Sequence, residues 1–196
     1  MKEISLRLTE LTKITTGHPF RGRILEKSGS GIRAVQMKDV SVENGVCWET
    51  VIETELLGKK QPDWLIDHDI LFAARGSRNY AVLIDQVTGK VVSSPHFYIL
   101  RVTYSSLLPE FLAWQLNQKL LQNYFDKTAE GTVTRSVRRS ILESTDIVVP
   151  TLEVQKQILG LHRTLMAEKE ICAQLSRNAD KLMNSIASSV LSGKTK

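Results

Sequence analysis

A chain of 196 residues with 42% hydrophobic content can bury one substantial core, and no apolar run approaches the ~20 residues that a membrane span requires. Its mean hydropathy of -0.13, net charge of +5 and isoelectric point near 9.2 describe a soluble, basic chain expected in the cytoplasm without membrane contact. Cys47 and Cys172, the two cysteines, have no second Cys or spaced His nearby, which argues against a disulfide framework and a zinc site.

In chain order, Ile4, Leu6 and Leu8 alternate with Ser5 and Arg7, which predicts a half-buried strand, and residues 11–14 add a helical turn. Residues 17–31 carry Pro19 and several glycines and form a loop. Its Gly-Ser-Gly at 29–31 is too short for a dinucleotide fingerprint. Strands are predicted at 32–37 and 46–52, joined through the Asn44-Gly45 turn, and a buried strand at 69–74 follows the Pro62-Asp63 turn. A polar loop at 75–79 leads to a hairpin partner at 80–84, and further strands fall at 91–92 and 96–102. Strands outnumber helices to this point, so the sheet is antiparallel or mixed rather than doubly wound.

From Pro109 the period becomes helical, with Leu112, Leu116, Leu120 and Tyr124 every fourth residue. Residues 131–134 read as a loop, Ser136 as the cap of a short helix through Leu142, and residues 147–149 as a last strand. Thr151 then caps one helix over 152–191, a rod of roughly 60 Å. Ile158, Leu161, Leu165, Cys172, Leu175, Ala179, Leu182 and Ile186 recur along it at spacings that alternate between three and four, with Glu168 and Ser189 as the polar exceptions. Such a seam suits a dimerisation or docking arm; the plainer alternative is a helix that packs along its own domain. The expected fold is therefore α+β: a mixed or antiparallel-sheet domain over 1–150, then one long coiled-coil-forming helix over 151–196.

The basic excess is uneven. Arg21, Arg23, Lys27, Arg33 and Lys38 stand against Glu26 alone, and Lys127, Arg135, Arg138 and Arg139 against Glu130 alone, while residues 45–69 are acidic. Basic patches on loops suit a nucleic acid, although a solvated basic face has the same composition. Catalytic patterns are missing. No acidic residue is followed two places later by Lys as a Mg²⁺ nuclease requires, and there is no serine elbow, Walker loop or S-adenosylmethionine-type glycine loop. Asp67-His68-Asp69 could chelate a metal, but a turn with a capping carboxylate explains it better.

These residues together resemble a family, the specificity (S) subunits of type I restriction-modification systems. The resemblance runs nearly end to end. Its best markers are Gly131-Thr132 through Ser136, Leu142, and Ile147-Val148-Val149-Pro150-Thr151-Leu152-Glu153-Val154-Gln155 ahead of the long helix. Phe20-Arg21-Gly22, Gln36-Met37-Lys38-Asp39, residues 71–77, Ser93-Ser94-Pro95 and residues 108–114 are similar to family wording as well. Full-length members carry two recognition domains and two long helices, whereas this sequence carries one of each. The resemblance then implies a half-subunit that pairs with an identical chain or a second half through its arm.

It also implies a non-catalytic protein that binds double-stranded DNA and directs other subunits. A modification methyltransferase subunit would supply S-adenosylmethionine and methylate adenine, and a restriction/translocase subunit is a further partner. Within that implication, Arg75, Ser77, Arg78 and Asn79 are the candidates for reading bases, since Arg bonds guanine and Asn adenine bidentately. Arg135, Arg138 and Arg139 with Thr132, Thr134 and Ser136 are candidates for phosphate contact, and Arg21, Arg23 and Lys38 form a third, backbone-directed patch. Trp48, Trp64 and Trp114 are expected in the core. Readings from other classes are a free-standing dimeric DNA-binding regulator, which lacks a helix-turn-helix pattern here, and a nuclease or methyltransferase with an unrecognised site.

Overall fold

Strands covered on both faces lose the in-out alternation of a half-buried strand, and one such apolar run lies in the middle of the main sheet. The computed structural model describes residues 4–56, 61–76, 78–130 and 135–192, with the side chain of Arg135 outside it. In chain order its elements are β1 (Ile4–Arg7), α1 (Leu8–Leu11), β2 (Thr12–Thr16), β3 (Ile32–Val35), β4 (Val40–Ser41), β5 (Gly45–Val46), β6 (Ile52–Glu53), β7 (Ile70–Ala73), β8 (Arg75–Gly76) and β9 (Ala81–Leu83). There follow β10 (Lys90–Ser93), β11 (Phe97–Val102), α2 (Pro109–Leu116), α3 (Lys119–Thr128), β12 (Arg135–Ser136), α4 (Arg139–Glu143), β13 (Asp146–Val149) and α5 (Leu152–Leu191).

The main sheet is antiparallel in the order β2-β11-β7-β9, with all four residues of β7 buried. A second sheet, β10-β3-β6, is mixed: β10 runs parallel to β3, and β6 antiparallel to it. One apolar cluster joins residues of both sheets, among them Val35, Val91, Leu71, Val82, Phe97 and Ile99. The Phe72 ring meets Phe125 of α3 edge-on at 5.0 Å, and α2 buries Phe111, Leu112, Ala113 and Leu116. β1 pairs antiparallel with β13, which brings residues 4–7 beside 146–149. The fold class is α+β, as the strand-rich first half and helical second half of the sequence predict.

Local chemistry moved several element boundaries. The first strand stops at Arg7 because the Glu10 carboxylate accepts the Arg7 N–H at 2.7 Å and starts a one-turn helix that buries Leu8 and Leu11. The helical turn predicted at 11–14 is instead strand β2, bonded along β11. The strand predicted at 32–37 ends at Val35, where Asp39 accepts the Gln36 N–H at 2.9 Å and caps a 3-10 turn over Met37–Asp39. The strand predicted at 46–52 is split into β5 and β6 by a turn in which the Thr50 N–H meets the Cys47 carbonyl at 3.1 Å.

The helical pattern from Pro109 also breaks, at Asn117. The Asn117 side chain leaves the helix to pair with both groups of the Ala81 peptide, Oδ1 accepting its N–H at 2.9 Å and Nδ2 donating to its carbonyl at 2.7 Å. Ser136 does not cap the short helix; it lies in β12, and Arg138 occupies the cap position of α4.

By contacts the chain divides into two units, Met1–Gln155 and Lys156–Lys196. The first unit extends five residues past the predicted boundary at 150. Gln155 explains the shift. Fully buried, it donates to the carbonyls of Ser106 and Pro150 at 2.8 Å each and accepts the Leu108 N–H at 2.9 Å. The Thr151 hydroxyl accepts the Val154 N–H at 3.5 Å, the long limit for a cap.

The second unit is the remainder of α5. Leu161, Leu165, Leu175, Leu182 and Ile186 of the predicted seam are exposed, as are Cys172 and Ala179, while Ile158 is half-buried. Glu170 accepts from Gln174 at 3.0 Å and Arg177 at 2.8 Å, and these bonds hold its carboxyl below the usual range. Among the described residues no helix is long and apolar enough to cross a membrane.

Gln155→Ala should cost about 2 kcal/mol or more, because it strands a buried N–H and two carbonyls. Urea denaturation is expected to show a lower midpoint with an unchanged slope.

Candidate nucleic-acid interface

Strand direction decides which loops meet. In the main sheet Thr16 lies opposite Tyr98, Ala73 opposite Phe97, and Phe72 opposite Ala81. The ends of β2 and β7 and the starts of β9 and β11 therefore share one end of the sheet. From it emerge the loops over residues 17–31, 74–80 and 94–96. In the second sheet the parallel strands β3 and β10 also finish together, with the Ser94 N–H on the Val35 carbonyl at 2.8 Å, so the turn over residues 36–39 leaves from the same end.

Backbone bonds tie these loops to one another. Gly17 donates to the Phe97 carbonyl at 3.0 Å, His18 to Ser93 at 2.8 Å and Ala74 to His96 at 3.0 Å. Gly17 permits this approach, because a Cβ there would stand 2.0 Å from the Ser94 carbonyl oxygen. The ribbon of β8 and β12 then joins the later part of the chain, with Gly76 opposite Arg135 and Arg75 opposite Ser136. Val137 donates to the Ala74 carbonyl at 2.9 Å, and Glu130 and Ser136 exchange two backbone bonds at 3.0 and 2.9 Å. Gly76 has φ +141°, and a Cβ there would lie 2.9 Å from the Met37 methyl, so the 36–39 turn packs directly on the ribbon.

Basic residues of two patches thus belong to loops at one end of the sheets. Lys38, Arg75, Arg78 and Arg138 are exposed there, and Arg21 and Arg23 are exposed in the loop that leaves this end at Gly17 and runs to the start of β3 at the other, sharing a cavity with Leu25 and Thr54. Toward the opposite end lie Asp63, Asp67 and Asp85, also exposed. Asp67 and Asp69 hold turns: the Asp67 carboxylate accepts the Val87 N–H at 2.8 Å, and Asp69 that of Ile66 at 3.0 Å. Lys13, Arg33 and Lys90 lie toward that end as well, so acidic and basic groups are mixed there.

Individual candidates fare differently. Asn79 is corrected from a base reader to a brace: it is 4% exposed, and its Nδ2 donates to the Ala73 carbonyl at 2.8 Å. Arg138 is ion-paired with Glu130, and Arg139 with Glu143 at 2.7 Å, so both cations have carboxylate partners in the free protein. Pairs this exposed are worth little and can be exchanged for a phosphate. Ser136 is half-buried in the ribbon. Ser77, Thr132 and Thr134 lie outside the described residues, as does the side chain of Arg135. Burial raises the Tyr80 phenol above its ordinary value, with the Arg78 charge pulling the other way, so it stays protonated at neutral pH.

The Arg21 and Arg23 loop encloses a cavity of about 290 Å³ whose lining includes His18, Phe20, Ile24 and Leu25. Trp48, Trp64 and Trp114, expected in the core, are only half-buried, and the first two lie beneath Arg33 and Lys90. Among the described residues no His, Cys, Asp or Glu cluster could hold a metal. His96 is exposed and Gln36 half-buried at the end where the 36–39 turn and the 94–96 loop emerge.

A family model for the type I restriction modification DNA specificity domain matches residues 6–176. No curated protein matches the sequence. Among solved structures, the S subunit of a type I restriction-modification system from M. genitalium is 17% identical with a TM-score of 0.58, over 97% of this chain and 46% of that one. The HsdS subunit from Thermoanaerobacter tengcongensis is 19% identical with a TM-score of 0.65, over 94% and 47%. A structure described as the structural basis underlying complex assembly and conformational transition of the type I R-M system is 17% identical with a TM-score of 0.65, over 95% and 45%. The chain spans a little under half the length of these structures, and the likeness at such identities is one of fold.

Gly76→Ala should destabilise the protein by about 1–3 kcal/mol through backbone strain and the Met37 contact. Met37→Ala combined with it should recover part of that loss in a chemical denaturation series, because the contact component is removed.

Proposed function

The chain belongs to the type I restriction modification DNA specificity family, and from that premise we propose that it reads one half of a bipartite DNA target and directs a methyltransferase to it. The observation that supports this reading most is the gathering of Lys38, Arg75, Arg78 and Arg138 at one end of the sheets, where the loop that carries Arg21 and Arg23 also begins. No catalytic role is assigned to the chain. S-adenosylmethionine, adenine methylation and any strand cleavage belong, on this reading, to a modification subunit and to a restriction/translocase subunit.

The two classes of contact have separate energetic signatures. Cations that neutralise phosphates release counterions, so they strengthen binding to every sequence and make it salt-dependent. Arg75 and Arg78, on the ribbon and the loop after it, are the base readers, each good bidentate pair being worth about 1–3 kcal/mol of discrimination. Arg138, Arg139, Arg21, Arg23 and Lys38 position the backbone. Arg135 with Ser77, Thr132, Thr134 and Ser136 supplements these groups.

The arm completes the assignment. Its exposed seam of Leu161, Leu165, Leu175, Leu182 and Ile186 pairs with a second arm, of an identical chain or of another recognition unit. A rigid spacer between two recognition units fixes the separation of the half-sites, as two-fold symmetry does in other DNA-binding dimers. The same arm docks the methyltransferase.

Sedimentation tests this first, with the chain alone and then with the modification subunit encoded beside it. A dimer that recruits the subunit and gains adenine methylation is expected; a monomer that ignores it would overturn the reading. Leu175→Glu should dissociate the dimer by light scattering while circular dichroism stays unchanged. Arg78→Ala should weaken target binding more than random-sequence binding, whereas Arg138→Ala should weaken both alike and flatten the salt slope by roughly 0.9. Equal losses on both DNAs for Arg78→Ala would remove it from base reading.

A further inference from the structure

A carboxylate on a surface that meets DNA is a liability, since the phosphates repel it wherever the duplex lies. Glu130 is such a carboxylate. It is the one acidic residue between Lys127 and Arg139, and its side chain is 54% exposed. Its backbone is not a mobile loop tip: both the N–H and the carbonyl are bonded to Ser136, which lies opposite Arg75 in the ribbon. Glu130 is therefore bonded to the strand residue that also pairs with a proposed base reader, the two flanking β12 on opposite sides. Its partner in the free protein, Arg138, is 68% exposed and sits ahead of α4 rather than within a helix turn of it. The pair at Arg139 and Glu143, by contrast, is an ordinary i,i+4 contact on one helix.

Two chemical facts follow from this placement. When Arg138 turns to a phosphate, the Glu130 carboxylate loses its partner and is left with acceptors only. The one base edge in the major groove that presents a donor without an adjacent acceptor is cytosine, through its N4 amino group, and carboxylates are the side chains that accept from it. Random DNA offers no compensation for the stranded charge, while a correctly placed cytosine does.

We infer that Glu130 is a specificity-determining residue that accepts a hydrogen bond from a cytosine N4 amino group in the target, released for that role when Arg138 engages the DNA backbone. The inference rests on the reading of this end as a DNA surface. Glu130 opposes every complex through its charge, and a single base identity offsets that opposition. It thereby widens the gap between target and random sequence from both sides.

The test is selection of bound duplexes from a randomised pool by the full chain, for wild type, Glu130→Ala and Glu130→Gln, with affinities for a fixed random duplex alongside. Wild type is expected to enrich a motif with a C·G pair that Glu130→Ala leaves degenerate, a loss of about tenfold or more in preference at that position. Glu130→Gln, which keeps an acceptor oxygen, should retain part of that preference. Both variants should bind the random duplex more tightly, since both lose the charge. A motif unchanged at every position in Glu130→Ala, or one relaxed at a position other than C·G, would overturn the inference while leaving the DNA-reading function intact. No enriched motif for wild type would overturn the functional reading and this inference with it. Thermal melting of the variants within a degree or two of wild type is expected for so exposed a pair.

Discussion

The buried charge at Asp69 is the constraint on which the first unit depends. Its carboxylate is wholly removed from water and receives both the Nε and an Nη of Arg101, each at 2.7 Å, together with the Ile66 N–H. A charge in that position is tolerable only when paired and fully bonded, and removal of one partner typically costs about 3–5 kcal/mol. The bonds with Asp69 raise the Arg101 guanidinium above even its normal range, so it stays charged. Arg101 belongs to β11 and also donates to the Trp64 carbonyl at 3.1 Å, which ties the central strand to the turn ahead of β7. This end of the sheet is locked in this way, and the alignment of β7 on β11 carries that order to the far end, where the loops with Arg75 and Arg78 begin.

What was readable from sequence follows from what is local. The buried strand predicted at 69–74, the longer strand at 96–102 and the uninterrupted helix over 152–191 each carry their own pattern, and the structure has all three, as Ile70–Ala73, Phe97–Val102 and Leu152–Leu191. Errors fell where a distant group decides the outcome. Nothing near residue 12 announces that β11 will lie beside it, and the helix ends at Asn117 because a strand edge thirty-odd positions earlier offers a better use for that amide. The strand predicted over 46–52 failed for a similar reason, with a polar turn inserted among residues that alternate well enough to mislead.

The candidate surface divides along the same line. Its cations were visible as residue types, and their clustering in sequence pointed to a polyanion. Their convergence was not, because it depends on which way each strand runs and on the parallel pairing of β3 with β10. Side-chain direction was equally hidden: Asn79 shares a loop with Arg78, yet one faces the interior and the other the solvent. Glu130 looked in sequence like a lone dilution of a basic patch. Only the ribbon that holds it beside Ser136 gives it a fixed place.

The amide of Asn117 makes a rung of hydrogen bonds with Ala81 that imitates a neighbouring strand, and Gln115, with its amide oriented to satisfy both groups, does the same for Val148 of β13 at 3.1 and 3.2 Å. Open edges are where β-proteins recruit unwanted neighbours and grow into aggregates. Two carboxamides satisfy those edges at the level of a single peptide each, beside the exposed charge of Asp146 on β13. Side-chain packing along a helix can be selective between partners, whereas backbone pairing accepts any sequence, so peptide groups satisfied in this way leave the exposed aliphatic face of α5 as the surface on which selectivity can be written.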